Sequence, residues 1–502
     1  GDTLTVAPPR DLTVIARGTL SGLAGIAPAA PPGQSGIYII SPERVAVAGL
    51  AGPGAVRLRS AVGIEAAPLA GGAPTHLAGR DILLEGGTGG IGAPGAAVTL
   101  LNYANGSLTA RATGDIVLRA PTGSLRLAEV FSAAGRAQLT ATAGDILDVL
   151  DTATPNIVAD EITLFAQGAI GTLGNALEID PRGGARLLEA LSVTGDTVLT
   201  VAAGDATARA VGSAQARTFL TLADGNLTLD GLGALPAVGA GTELWLTVHG
   251  AITLADPAAL AFAAGTAATI NTRENLGSLA TPLITRLGAD GTPVALSINR
   301  LGTGNLGVWM INDGALSVEQ LALGSGPGAT FSLVNAGLVR LGGEPCAVFS
   351  PRNLNVATVA GGASAPDLLV FRDLDLMADG NRLTLLSAGD LRLNTDASLV
   401  SRGDVTLAGR VVEGAADIAV SGGGTLRITS QTALTLGRID SDGPVVLRAN
   451  GTDLAGLRAS PLALSVADLR AARLEAFGAG MVAGRYHVSG DVDIEAALTL
   501  GV

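Results

Sequence analysis

Lysine is absent from this 502-residue chain, so its 31 Lys-or-Arg positions are all arginine. Aromatic residues make up only 3%, with 2 Trp, 3 Tyr and 8 Phe, and there is one cysteine and three histidines. Each scarcity excludes something. One cysteine, Cys346, rules out an intrachain disulfide and a cysteine-based zinc site. Its setting, Pro345-Cys346-Ala347-Val348-Phe349, reads as that of a buried small hydrophobe. Few aromatics argue against a bulky globular core. They also argue against a transmembrane barrel, which uses aromatic girdles at both interfaces. A net charge of −13 argues against nucleic acid as a partner, because binding the phosphate backbone needs basic surface. Mean hydropathy is +0.45. The uncharged stretches from Gly18 to Pro42 and from Gln320 to Val339 are nevertheless broken by Gly, Pro, Ser or Asn, unlike a spanning helix. Gly1 stands where an initiator Met or a signal peptide would, so the chain reads as a piece of a longer polypeptide.

Glycine is abundant, at 71 residues, and Ala, Leu, Val and Thr fill most of the remainder. The dominant local pattern is Gly-Asp followed by a short alternating strand: Gly114-Asp115-Ile-Val-Leu, Gly389-Asp390-Leu-Arg-Leu, Gly403-Asp404-Val-Thr-Leu and Gly490-Asp491-Val-Asp-Ile. The first and third residues after Asp would share one face. Looser versions follow Gly1, Gly144, Gly195 and Gly204. Similar strands without the Gly-Asp lead recur at short, even intervals between positions 97 and 165. Regular short strands between glycine turns mean an all-β chain. The best helical stretch, Ala467 to Phe477, also reads as a loop and a strand.

Recurrence of a longer phrase favours a solenoid over a sandwich. Ile170-Gly171-Thr172-Leu173-Gly174-Asn175-Ala176-Leu177 resembles Leu276-Gly277-Ser278-Leu279-Ala280-Thr281-Pro282-Leu283, with a weaker echo at Leu457 to Leu464. The expected fold is therefore a right-handed parallel β-helix, an elongated β-solenoid of about 20 residues per coil. Coils stacked about 4.8 Å apart would make some 25 turns and a body on the order of 120 Å long. Residues 1–75, interrupted by Pro8-Pro9, Pro28 and Pro31-Pro32, read as an irregular start of the solenoid or a small β cap. Residues 76–502 read as one continuous β-helix.

The Gly-Asp strands and the Ile-Gly-Thr-x-x-Asn-x-Leu-x-Ile phrase resemble the repeats of filamentous-haemagglutinin-type exoproteins and giant bacterial surface adhesins, over roughly Gly79 to the C-terminus. The resemblance implies a parallel β-helix at or released from a Gram-negative cell surface, acting in adhesion or biofilm structure. The Asn-Pro-Asn motifs of that family's secretion domain are missing, which leaves the secretion route open.

Chemistry is sparse. Parallel β-helices also carry polysaccharide-cleaving enzymes, and Val248-His249-Gly250 resembles a polygalacturonase turn, but no Asp-Asp pair precedes it and no Arg-Ile-Lys follows. His76, His249 and His487 are far apart and read as structural. No catalytic residue, cofactor or metal is expected. Gly86-Gly87 and Gly422-Gly423-Gly424 lack the Asp pattern of calcium-binding rolls. Adventitious calcium at paired turns stays open, and turn aspartates are expected to bond nearby backbone amides. Arg402-Gly403-Asp404 spells a tripeptide that some host receptors bind on tight loops, or is the recurring turn preceded by Arg. Sequons at Asn105, Asn226 and Asn450 carry little weight.

The expectation is thus a non-enzymatic, extracellular shaft or filament subunit of a bacterial adhesin or surface fibre. Its partners would be further repeats, another copy joined end to end, a matrix polysaccharide or a host surface. The alternatives are a carbohydrate-active β-helix enzyme on an acidic polysaccharide, and an outer-membrane passenger or barrel. No transmembrane helix is expected.

Overall fold

The structure is a computed structural model that describes residues 12–15, 18–26, 36–69, 73–103, 105–342, 351–360, 365–376, 378–395, 397–449, 464–478, 481–482 and 485–496. Cys346, Asn450 and the phrase from Leu457 lie outside these, apart from Leu464 at its end. The described residues are all-β with parallel coil-to-coil pairing, a β-solenoid of about 18 turns with roughly 23 residues per turn. Contacts divide the chain into two units, Gly1–His249 and Gly250–Val502.

In the first unit the register climbs from Ile37 to Val56 to Ile82 to Leu108. It climbs again from Ile116 to Ala137 to Ile162 to Leu188. Strand Val45–Ala51 pairs with both Ile64–Ala66 and Leu77–Gly79, so the described residues below position 75 belong to the same ladder. Turns are fewer and longer than expected because loops leave the corners between strands.

The second unit stacks in the same manner. One inward column runs Val308, Phe331, Leu354, Leu383, Val405, Leu426, Val445, Leu474, and a second runs Met310, Leu333, Val356, Leu385, Leu407, Ile428, Leu447, Ala476. All sixteen are 2% exposed or less. Alternation in sequence therefore becomes a continuous apolar column, each side chain resting on the one below, at about 1.5–3 kcal/mol per buried aliphatic. Ala467 to Phe477 resolves into strands Leu464–Ala471 and Arg473–Gly478. Among the described residues no helix is long and apolar enough to cross a membrane.

Corners are closed by buried polar side chains. Ser60, Ser132, Ser192, Ser401 and Ser441 end strands facing inward, each 3% exposed or less. Ser60 Oγ accepts the Gly63 amide at 2.8 Å and donates to Glu43 O at 2.7 Å. Ser132 Oγ donates to Gly114 O of the coil below at 2.8 Å. At two corners of the second unit asparagine fills this place. Asn312 Oδ1 accepts Thr285 Oγ1 and the Leu287 amide, both at 2.8 Å, and Asn312 Nδ2 donates to Asn335 Oδ1 at 2.8 Å. Asn335 Nδ2 donates to Gly314 O at 2.9 Å and Gly337 O at 2.6 Å. The result is a buried amide ladder in which the polar groups satisfy one another.

The recurring phrase is a corner knob. In Ile170–Leu177, Ile170 is buried and Gly171 turns at φ +66°, after which Thr172 and Asn175 exchange backbone hydrogen bonds of 2.8 and 3.2 Å. Leu276–Leu283 repeats this with Gly277 at φ +65° and Ser278 N donating to Thr281 O at 3.0 Å. A third copy, Ile91-Gly92-Ala93-Pro94-Gly95-Ala96-Ala97-Val98, has Gly92 at φ +69° and the same exchange between Ala93 and Ala96. It is hidden in sequence because only the leading aliphatic, the Gly and the final aliphatic are common to all three. The first two tips expose Leu173 and Leu279.

Candidate functional site

Five of the Gly-Asp turns, together with Asp81, Asp367 and Asp373, form coil-to-coil clamps. Eight aspartates each sit at or just before the start of a strand and accept, through Oδ1, the backbone amide at the corresponding point of the next coil. In the first unit these are Asp81 with Ser107, Asp115 with Arg136, Asp145 with Ala169, Asp196 with Arg217 and Asp205 with Asn226, at 2.7 to 3.2 Å. In the second they are Asp367 with Asp390, Asp373 with Ser398 and Asp404 with Thr425, at 2.7 to 3.0 Å. The expected local bonding occurs elsewhere, at Asp148, Asp224, Asp256 and Asp290. At Asp196 burial opposes ionisation, and hydrogen bonds from the Arg217 side chain and amide overcome it, so the carboxyl ends below its ordinary value.

Arg402-Gly403-Asp404 belongs to this machinery. Asp404 clamps Thr425, the Gly403 amide donates to Ser401 Oγ at 3.3 Å, and Arg402 pairs with Asp379 at 3.5 Å. A Cβ on Gly403 would lie 2.1 Å from Asn381 O, so the turn is pressed against the coil below. Gly389-Asp390 takes the opposite part in a clamp, because the Asp390 amide is the donor that reaches Asp367 Oδ1 at 2.8 Å.

The histidines are dispersed. His76 is 7% exposed, and its Nδ1 accepts the Thr99 amide at 3.0 Å, which leaves Nε2–H to donate to Ala67 O at 2.9 Å. His249 donates its backbone amide to Leu222 O at 3.3 Å. Among the described residues no group of three or more His, Cys, Asp or Glu is arranged to hold a metal ion. Glu178 is the carboxyl pushed upward. Burial, then the charges of Asp148 and Asp151, raise it above the ordinary carboxyl value, and its Oε2 is buried without a hydrogen-bond partner.

Three surface features remain. In the first unit Phe219 and Trp245 stack on adjacent coils with centroids 6.0 Å apart and planes 16° apart, and Arg217 lies 5.6 Å over Phe219. In the second unit a largely apolar cleft of about 690 Å³ is lined by Phe371, Leu393, Gly414, Leu436 and the Arg392–Glu413 ion pair of 3.1 Å. Beside it Asp390 lies between Arg392 at 3.0 Å and Arg410 at 2.7 Å, the Arg410 contact lacking hydrogen-bond alignment.

The third feature is a polar cleft of about 490 Å³ across five coils. Its floor is the register column Val400, Ala419, Asp440, Arg470, His487. Ser421, Asp442 and Ser489 flank it. Asp442 accepts the Gly422 and Gly423 amides, both at 2.9 Å, and Asp440 pairs with Arg438 at 3.3 Å. Sequence alone does not reveal this cleft, because its residues come from five separate coils.

The fold thus defines the class, a parallel β-solenoid protein. No protein-family model, curated protein or solved structure matches the chain.

Proposed function

We propose that this chain is a non-catalytic structural shaft, part of an extracellular bacterial adhesin or surface fibre of the filamentous-haemagglutinin type. The observation that carries this reading is the repetition of one stacking device. Eight aspartate clamps, buried corner serines and unbroken aliphatic columns all join a coil to its neighbour, so the recurrent motifs of the sequence serve stiffness along the stack. Association with further coils, of the same polypeptide or another copy, belongs to this reading.

Electron microscopy of the full chain tests the reading. Stiff rods or continuous fibres with an axial repeat of about 4.8 Å are expected; compact particles would overturn it. Protease accessibility on intact producing cells tests the surface location. A second reading, a carbohydrate-active enzyme, draws on Asp440 and Asp442 facing one cleft with Arg470 and His487. It requires release of new reducing ends from an acidic polysaccharide, lost in Asp440→Asn.

A further inference from the structure

We infer that the cleft over Asp440, Arg470 and His487 binds a hexuronate residue of an acidic polysaccharide. This names the ligand class for the surface role proposed above and rests on that reading.

Some arginines on the outer faces are matched, as Arg44 with Glu65, Arg111 with Glu129, Arg209 with Asp230, Arg217 with Asp196 and Arg392 with Glu413, while others, such as Arg427 and Arg448, carry no ion pair among the described residues. Arg470 has no ion-pair partner among the described residues, although the register sets it directly between Asp440 and His487. Asp440 is engaged by Arg438, and Asp442 by the amides of Gly422 and Gly423. In a chain of net charge −13, the cleft therefore concentrates two side chains able to bind an anion, Arg470 and His487, on adjacent coils.

The other lining groups select among anions. Asp440 and Asp442 repel a multiply charged phosphate or a nucleic-acid backbone, yet their oxygens can accept hydroxyl protons. Ser421 and Ser489 can donate or accept. A ligand satisfying both sets carries one carboxylate and several hydroxyls close together, which is the chemistry of a uronic acid. Its carboxylate would take the two-pronged guanidinium of Arg470, with His487 beside it, while its ring hydroxyls donate to Asp440 and Asp442. A volume of about 490 Å³ lies within the roughly 300–1,000 Å³ of small-molecule sites. The floor is a single column of side chains crossing five coils, so a polymer can lie along the stack with one residue seated.

Calorimetric titration of the full chain with a galacturonate trisaccharide tests this. Binding is expected, weakened at least tenfold in Arg470→Gln and less in Arg470→Lys, which keeps the charge without the fork. A neutral galactose trisaccharide should bind at least tenfold more weakly than the acidic one, and inorganic phosphate at equal concentration should not displace the acidic sugar. Melting curves of each variant, with Arg57→Gln as a distant control, separate site loss from unfolding. The inference is overturned if the acidic sugar does not bind, if Arg470→Gln binds like wild type, if the neutral sugar binds equally, or if phosphate competes. Rods in the microscope without uronate binding would remove this inference alone; binding by compact particles would remove the shaft alone.

Discussion

Replacing Asn312 with alanine tests whether the buried amide ladder holds the second unit together. Asn312 is 1% exposed and makes close hydrogen bonds to three coils. Removing its amide leaves the Leu287 N–H without its side-chain acceptor and the Asn335 Oδ1 without its donor. Thr285 escapes, because its hydroxyl can turn to Ile311 O, already 3.4 Å away. Gly314 O also escapes, since Asn335 Nδ2 reaches it. Leu287 O also loses the Asn312 Nδ2 donor at 3.1 Å. Three buried polar groups thus lose a partner, at about 1–3 kcal/mol each, so with the small void left behind the expected cost is at least about 3 kcal/mol. Asn355→Ala on the outward face of strand Asn353–Thr358 is the control and should change stability by less than about 0.5 kcal/mol. Stacked repeats can open segment by segment, so urea unfolding should be paired with hydrogen exchange on a peptide covering Leu283–Arg300. Exchange at Leu287 should accelerate by orders of magnitude in Asn312→Ala. Equal stability of the two variants, or unchanged protection at Leu287, would refute the reasoning.

Three further outcomes follow from the geometry. Glu178→Gln should raise the melting temperature at pH 7: with its carboxyl pushed up in the fold, Glu178 contributes stability that is present below the ordinary carboxyl range and lost as pH rises through the raised value. The advantage of Gln should therefore vanish towards about pH 4. Gly171→Ala, which places a Cβ 2.2 Å from Val198 O at φ +66°, should cost about 2–4 kcal/mol, whereas Gly174→Ala at the same knob meets nothing within 4 Å and should be nearly neutral in thermal melts. Asp145→Ala removes the acceptor of the Ala169 amide and should speed hydrogen exchange there while leaving Leu199 and Leu220, which pair farther up the stack, protected.

How much was legible in the sequence varies with the distance over which an interaction acts. Alternation in Val56–Ser60 or Leu391–Leu393 is local, so strands and their inward faces could be read directly. The Gly-Asp motif was equally visible, but the role of Asp115 was not, because its partner amide is at Arg136, a full coil away. Asn312-Asp313-Gly314 and Asn335-Ala336-Gly337 have the composition of ordinary turns; their recurrence at the ends of two strands that turn out to be paired was the available signal for an internal ladder. Coils run longer than expected because corner knobs such as Ile91–Val98 add residues without adding a rung. The polar cleft was out of reach, since Asp440, Arg470 and His487 come together only once the register is known.

The aspartate clamps share one polarity: in all eight the acceptor belongs to the earlier coil and the donor to the later one. Asp442, which reaches back to the Gly422 and Gly423 amides, runs the other way, and it lines the polar cleft. A finished coil therefore presents a carboxylate that is already positioned when the following stretch of chain arrives, and that stretch can dock its amide without rearranging what lies beneath. Growth from the N-terminal side thus meets a ready template, while growth from the C-terminal side would bring each amide in before its acceptor exists. Written into the turns is a preferred direction of assembly, suited to a chain that takes shape progressively from its N-terminal side.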